Sequence, residues 1–400
     1  MKIWIVNQYA LPPWETGGTR HYSLARELVS MGHQVCIIAS NIHYSSRIKM
    51  KECHGSKNIE GVQFIWLDSP VYKKNSIDRI FNMIVFTYRL LLTNKVRSLF
   101  KPDIIIGSSP HPFSAWAAER LSYFYKVPFV LEIRDLWPET LINIGKISSQ
   151  NLFIKLLVCL EKYLYKKADR IVVLPSLAGE YIVNRYNIDG KKIICIPNGV
   201  DLNSVLLQVE SRNEDIFTVM YIGSHGLYDG LDILLNVASI IKYQEWGVNI
   251  RFRFIGSGPE KSNLYKKAKE LGLNNIHFED PVSKTQIFKV LKEADVCIAI
   301  AIKSPLYRWG LSFNKLYDYM ASARPVILGA DVADDIVKLS GAGISVQPDD
   351  LQAIALAIKE IKEMKYSQRF ELGLKGRAYV EKNNSYRNLA SKLEKLLCDL

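Results

Sequence analysis

Short apolar runs alternate with segments of helical period along this whole chain of 400 residues, and few folds accept that alternation. Residues 2–6, 35–39, 62–67, 104–106, 129–133, 171–174 and 193–196 read as strands in the first half. Residues 217–222, 252–255, 276–278, 296–300, 326–328 and 344–346 read the same way in the second. Helices are expected from Thr19, over 114–125 and near 229–241, with three more over 351–363, 367–380 and 386–397. The pattern predicts α/β architecture with doubly wound parallel sheets. Pro197-Asn198-Gly199-Val200-Asp201 is a turn cluster between the two series, and it divides residues 1–197 from residues 198–384. The length suits two domains, each with its own core.

In open sheets of this class, ligands collect outside the carboxyl ends of the strands. The richest loop of this kind leads into GLSFNKLYDYMASARPVIL, residues 310–328. Ser312 is a helix-capping residue type, and Phe313, Leu316, Tyr317, Met320 and Ala321 follow at helical spacing. Arg324-Pro325 ends the helix before a short core strand. Unpaired N–H groups, the positive end of the helix dipole and the Lys315 ammonium would therefore stand together, which suits a phosphate. Asp318 follows Asn314 at i+4, where a carboxylate can accept two hydroxyl bonds from a ribose. A nucleotide-sugar site has this composition. So does an ordinary capped core helix with a solvated lysine and aspartate.

This stretch resembles the donor-binding segment of retaining glycosyltransferases of family 4, which have the GT-B fold. It is most similar to a bacterial branch reading S-x-N-K-L-Y-D-Y-M-A and then R/K-P-V-I, seen in L-fucosamine transferases of surface-polysaccharide assembly. The resemblance implies two Rossmann-like domains with a cleft between them, and a last helix, 385–400, that packs back on the first domain. The wider family carries two glutamates in this segment. Here they fall on Gly310 and Asp318, so the ribose role passes to Asp318 and the first glutamate has no counterpart. Ser312, Phe313, Asn314 and Lys315 become diphosphate-binding candidates.

Other loops gain candidates in the same way. Gly17 and Gly18 follow the first strand and resemble the Gly-Gly loop under the donor diphosphate. Gly256 and Gly258 lack the third glycine of a dinucleotide fingerprint, which argues against a nicotinamide dehydrogenase. They resemble a turn that abuts the nucleoside. Val282 matches a base-contacting loop. Gly223 and Ser224 match a loop that usually carries an arginine, with a lysine further on; Ser224 and Asp229 stand at those places. His225 is a further candidate donor in that loop, the alternative being a loop histidine with no catalytic role. Glu132-Ile133-Arg134-Asp135-Leu136-Trp137-Pro138-Glu139 follows a buried strand. An ion pair holding the loop would explain its charges. D-L-W-P also resembles a signature of the acceptor side, which makes Asp135 a catalytic candidate with Lys315, and Arg134, Trp137 and His111 acceptor-side candidates.

The expected reaction is sugar transfer from a UDP-sugar, with charge on the leaving diphosphate met by Lys315, a helix N-terminus, Gly17 and Gly18. No Asp-x-Asp pair ends a strand, so neither a metal nor another cofactor is expected. Asp334-Asp335 and Asp349-Asp350 read as helix starts. Retention of configuration, by same-face attack, is what the resemblance alone implies. A UDP-sugar 2-epimerase on the same fold, or a basic non-enzymatic binding protein, are the alternatives.

The net charge of +12 is uneven: 26 basic residues face 15 acidic ones up to Pro197, and 26 face 25 beyond it. An anionic partner for the first half is implied. No nucleic-acid-binding module is evident, so nucleic acid is not expected. Ile77, Ile80, Phe81, Ile84, Val85, Tyr88, Leu91, Leu92, Val96 and Leu99 form a helical apolar stripe, with Met83, Phe86 and Leu90 enlarging it. Lys73, Lys74, Arg79, Arg89, Lys95, Arg97 and Lys101 surround it against the single acid Asp78. This predicts docking on an anionic membrane. The resemblance adds an undecaprenyl-diphosphate-linked saccharide acceptor. The start of the chain reads as a strand and the six cysteines are scattered, so a cytoplasmic enzyme on the inner face of the inner membrane is expected.

Overall fold

The computed structural model describes residues 1–72, 77–109, 111–205 and 215–400. Lys73 and Lys74 lie outside them. The chain divides into two units: Met1–Pro13, Gly18–Pro197 and Tyr386–Leu400 form the first, and Trp14–Gly17 with Asn198–Ser385 form the second.

The first unit is built on β1 (Lys2–Val6), β2 (Gln34–Ser40), β3 (Gly55–Ile59), β4 (Val62–Leu67), β5 (Ile104–Ser109), β6 (Phe129–Ile133), β7 (Arg170–Val173) and β8 (Ile193–Cys195). Their order is β3-β4-β2-β1-β5-β6-β7-β8, and only β3 runs antiparallel to its neighbour. That edge strand, GSKNI, has no apolar run, and its register is set by a tight hairpin. Glu60 and Gly61 both have positive φ, the turn geometry that matches the twist of paired strands. The order reverses at β1, between β2 and β5, so a crevice is expected beyond the end of β1. The side chains just past it are buried and polar. Glu132 accepts from Arg20, His21 and Ser108, while Arg20 also donates to the carbonyls of Ile196 and Pro197. Burial works against the Glu132 charge, but Arg20 and His21 hold it well below the usual carboxylate range. Helix Tyr386–Cys398 packs on helix Arg20–Ser30 within this unit.

Helix Ile77–Leu92 corrects the reading of its own stripe. Asn82, Met83, Phe86, Thr87 and Leu90 are its buried residues, whereas Phe81, Ile84, Tyr88 and Leu92 are 48–65% exposed. Met83, Phe86 and Leu90 therefore fill the core rather than enlarge an outer surface, each contributing about 1.5–3 kcal/mol by burial. The helix stops at Leu92, and a separate turn, Asn94–Arg97, buries Val96. Both faces are apolar, so period alone could not say which one met the sheet.

The second unit is built on β9 (Phe217–Ile222), β10 (Ile250–Ile255), β11 (Ile276–Glu279), β12 (Val296–Ile300), β13 (Val326–Gly329) and β14 (Gly343–Val346). All neighbours are parallel, in the order β11-β10-β9-β12-β13-β14. Phe217, Val219 and Tyr221 of β9 join a core with Leu234, Leu235, Ile354 and Ile358. Met220 and Ile222 join the other core with Leu316, Tyr319 and Met320. A sheet buried on both faces explains the near-continuous apolar runs. Its order reverses at β9, between β10 and β12, so the loops after β9 and β12 are placed to share a ligand.

Candidate active site

Those two loops meet on helix Asn314–Ala321. The helix starts one residue later than the capping pattern implied, with Phe313 as its N-cap. Ser312 is not the cap: its hydroxyl accepts from Asn198 N at 2.9 Å, and its carbonyl accepts from Asn198 Nδ2 at 2.7 Å. With no side-chain cap, the first backbone N–H groups of the helix stay available to an anion. Tyr319 fixes the helix to the end of β9, donating to Ile222 O at 3.1 Å and accepting from Ile222 N at 2.8 Å. Two such bonds contribute about 1 kcal/mol each.

Lys315 lies in the first turn of that helix and reaches back to the loop after β9. Its Nζ is 2.6 Å from Asp229 Oδ1 and 2.7 Å from Tyr221 Oη, and it stands 4.4 Å from the Tyr221 ring centre. Gly223 makes room for it, since a Cβ there would sit 3.1 Å from Lys315 Cε. Asp318, a turn further on, is buried and pairs with Lys284, whose Nζ is 2.5 and 2.6 Å from the two carboxylate oxygens. Burial raises the Asp318 carboxyl pKa, and Lys284 opposes the rise. Each lysine of this cradle is thus matched by an aspartate.

The other candidate glycines have a packing role. Gly256 has φ +150, and a Cβ there would fall 1.8 Å from Gly223 O. At Gly258 it would fall 2.4 Å from His225 O. The turn after β10 is therefore pressed on the loop after β9, and His225 N donates to Ser257 O at 2.8 Å. His225 is enclosed there beside Tyr221 and Phe278, with neither ring nitrogen partnered among the described residues. Burial, then Lys261, pushes its pKa down to about 4, so the ring is neutral near pH 7. Ser224 has its carbonyl on the Tyr221 hydroxyl at 2.6 Å. Val282 is half-buried against the core under the helix. Gly310, at φ +99, ends a short turn that walls a pocket of about 390 Å³ with Lys303, Arg308 and Asp331.

In the first unit, Asp135 is exposed, and the nearby guanidinium groups of Arg134 and Arg79 favour its charged form. Trp137 N donates to Asp135 O at 3.1 Å, and the Trp137–Pro138 bond is cis. Arg134 N donates to Ser109 Oγ at 3.3 Å, and its Nε is buried without a partner among the described residues. Asp135 and Trp137 line a cavity of about 20 Å³ with Glu161, room for one water. Burial pushes the Glu161 carboxyl up to about 8, with Tyr186 and Tyr165 donating to it. His111 is enclosed: Nε2 faces Gln8 Oε1 at 2.6 Å and Nδ1 accepts from Ser114 N at 3.4 Å. It caps helix Pro112–Tyr125, and burial lowers its pKa to about 3. Gly17 has φ +127, a glycine conformation, and belongs by its contacts to the second unit, while Gly18 belongs to the first. Among the described residues no group of three or more His, Cys, Asp and Glu could hold a metal ion. Asp335 and Asp350 cap the helices that follow them.

Residues 17–204 match the family model Glycosyltransferase Family 4, and residues 216–363 match the model Glycosyl transferases group 1. The chain is a glycosyltransferase of the GT-B type. This glycosyltransferase is 23% identical over 314 residues to the probable glycosyltransferase WbjE of Pseudomonas aeruginosa, covering 75% of this chain and 74% of that one. It is 20% identical over 357 residues to WcaI of Escherichia coli K12, a putative colanic acid biosynthesis glycosyl transferase, covering 83% and 85%. The structure of Anabaena HepE in complex with UDP-glucose superposes with a TM-score of 0.70 at 14% identity, over 100% of both chains. The glycosyltransferase is thus related to enzymes of polysaccharide biosynthesis.

Sequence reasoning missed Lys284, Tyr221 and Lys261. Lys261 of the glycosyltransferase ties the ends of β10 and β11 through the carbonyls of Gly256 and Glu279. Nothing in the sequence marks these residues: a lysine opening an amphipathic helix is ordinary, and Tyr221 reads as one more core position of β9.

Proposed function

We propose that this glycosyltransferase moves a sugar, of the N-acetylated amino type such as N-acetyl-L-fucosamine, from a UDP-sugar to a saccharide linked to undecaprenyl diphosphate. The product enters O-antigen or capsule assembly. The transfer retains the anomeric configuration and uses no metal. The observation that carries the donor assignment is the cradle at helix Asn314–Ala321: uncapped N–H groups and the Lys315 ammonium, with the buried Asp318 carboxylate one turn away. The first set fits a diphosphate and the second a ribose. The HepE structure bound to UDP-glucose supports the same donor chemistry.

As the sugar–oxygen bond breaks, negative charge grows on the β-phosphate. Lys315, Ser312 to Asn314 and the Gly17-Gly18 loop are assigned to meet it, which lowers the barrier. Asp135, with Arg134 and Trp137, is assigned to the sugar and acceptor side. The enzyme works at the cytoplasmic membrane surface. No helix among the described residues is long and apolar enough to cross a membrane. Instead, Phe81, Ile84, Tyr88 and Leu92 lie exposed on a helix bearing Arg79 and Arg89, which suits an anionic leaflet.

A screen of UDP-sugars with a polyprenyl-diphosphate-linked acceptor, read by mass spectrometry, tests this reading. The expected result is one sugar added to the lipid-linked saccharide, with UDP released. Turnover of a UDP-sugar to its epimer without acceptor would replace the reading with epimerisation.

A further inference from the structure

Lys284 opens helix Lys284–Leu291, directly after the loop that follows β11. Gln286 Oε1 accepts from Ser283 N at 3.3 Å and fixes that helix start. From there the lysine crosses to the neighbouring helix Asn314–Ala321 and places its ammonium symmetrically on the Asp318 carboxylate. The side chains are 15% and 6% exposed, so the pair is sheltered but not sealed.

We infer that Lys284 is a positioning residue of the donor site, holding Asp318 charged and aimed as the acceptor for the vicinal hydroxyls of a ribose. The inference rests on the nucleotide-sugar reading above. A carboxylate offers about four lone-pair sites. The ammonium takes one on each oxygen, and the two left over match the two hydroxyls of a cis-diol. A buried carboxyl without a counter-charge takes up a proton instead, and then has fewer sites to accept with. Lys284 is the cation that opposes this at Asp318. The lysine therefore acts through Asp318 and through the diol alone, a narrower role than charge attraction to the diphosphate.

The test measures binding of UDP and of 2′,3′-dideoxy-UDP by calorimetry on the full chain. The unsubstituted protein should prefer UDP. Lys284→Met and Lys284→Gln should each weaken UDP about tenfold, the scale of a hydrogen bond to a charged group. Both should leave the dideoxy nucleotide unchanged, so that the preference collapses, and Lys284→Arg should keep it. UDP binding unaltered in Lys284→Met, or both nucleotides weakened by the same factor, overturns the inference alone. No UDP binding by the unsubstituted protein overturns the nucleotide-sugar reading and the inference with it.

Discussion

Asp229 holds the ammonium of Lys315, with Oδ1 2.6 Å from Nζ. The sequence resemblance leads to the expectation of basic residues on that loop. Here the loop supplies a carboxylate, and the cation comes from the helix that faces it. An incoming diphosphate would have to compete with Asp229 for the same ammonium.

That competition gives opposite signs to two substitutions. Lys315→Ala should weaken UDP binding by about 1.5–3 kcal/mol, the scale of a charge-assisted bond. Asp229→Asn should tighten it, because the competitor is gone while the amide can still position the lysine. Titration calorimetry at low salt reads both. Equal weakening by the two would mean that the pair is only a structural unit.

Transfer should survive excess EDTA, since the proposed site meets phosphate charge with Lys315 and backbone N–H groups. The assay is UDP release in the presence of acceptor. Activity that disappears with chelator and returns with Mg²⁺ or Mn²⁺ would show that the charge balance of the site was misjudged.

The two faces of helix Ile77–Leu92 should separate binding from stability. Phe81→Asp with Ile84→Asp alters exposed residues and should abolish flotation with anionic liposomes while leaving the melting temperature almost unchanged. Phe86→Ala removes a fully buried ring and should cost about 3–5 kcal/mol. Flotation that persists in the double aspartate variant would place the membrane face elsewhere.

Much of this architecture was legible because buried parallel strands are apolar throughout. Residues 217–222 and 296–300 announce β9 and β12 by composition alone, and the helix of residues 314–321 by its period. β3 was not legible, because GSKNI is a polar edge strand held by a hairpin rather than by a core. Lys315 and Asp318 stood out through their distance from a helix start. Their pairing with Asp229, legible only as standing where a lysine is usual, and with Lys284 was not legible, since those residues come from other loops and only the folded sheet brings them near. Ser312 looked like a cap, but Asn198, far away in sequence, had already engaged its hydroxyl.

Glu161 should leave a signature in the pH dependence of folding. Its folded pKa, about 8, lies above that of an exposed glutamate, so the folded state binds the extra proton. Its contribution is complete below the unfolded pKa and is lost as pH rises towards 8, at about 1.4 kcal/mol per pH unit at most. Thermal melts from pH 5 to pH 8 should show this decline, and Glu161→Gln should flatten it. An identical slope in the variant would mean that the carboxyl is ionised throughout.

The close seating of Gly256 and Gly258 on the loop after β9 bears on how a mutational scan of this protein should be scored. Any side chain at either position must push the backbone of residues 223–225 aside, and with it Gly223, which lies under Lys315. An activity readout alone would rank both glycines beside the lysine, as though they touched the donor. A parallel readout of abundance would sort them differently: the glycine variants should lose protein as well as turnover, whereas Lys315→Ala should lose turnover alone.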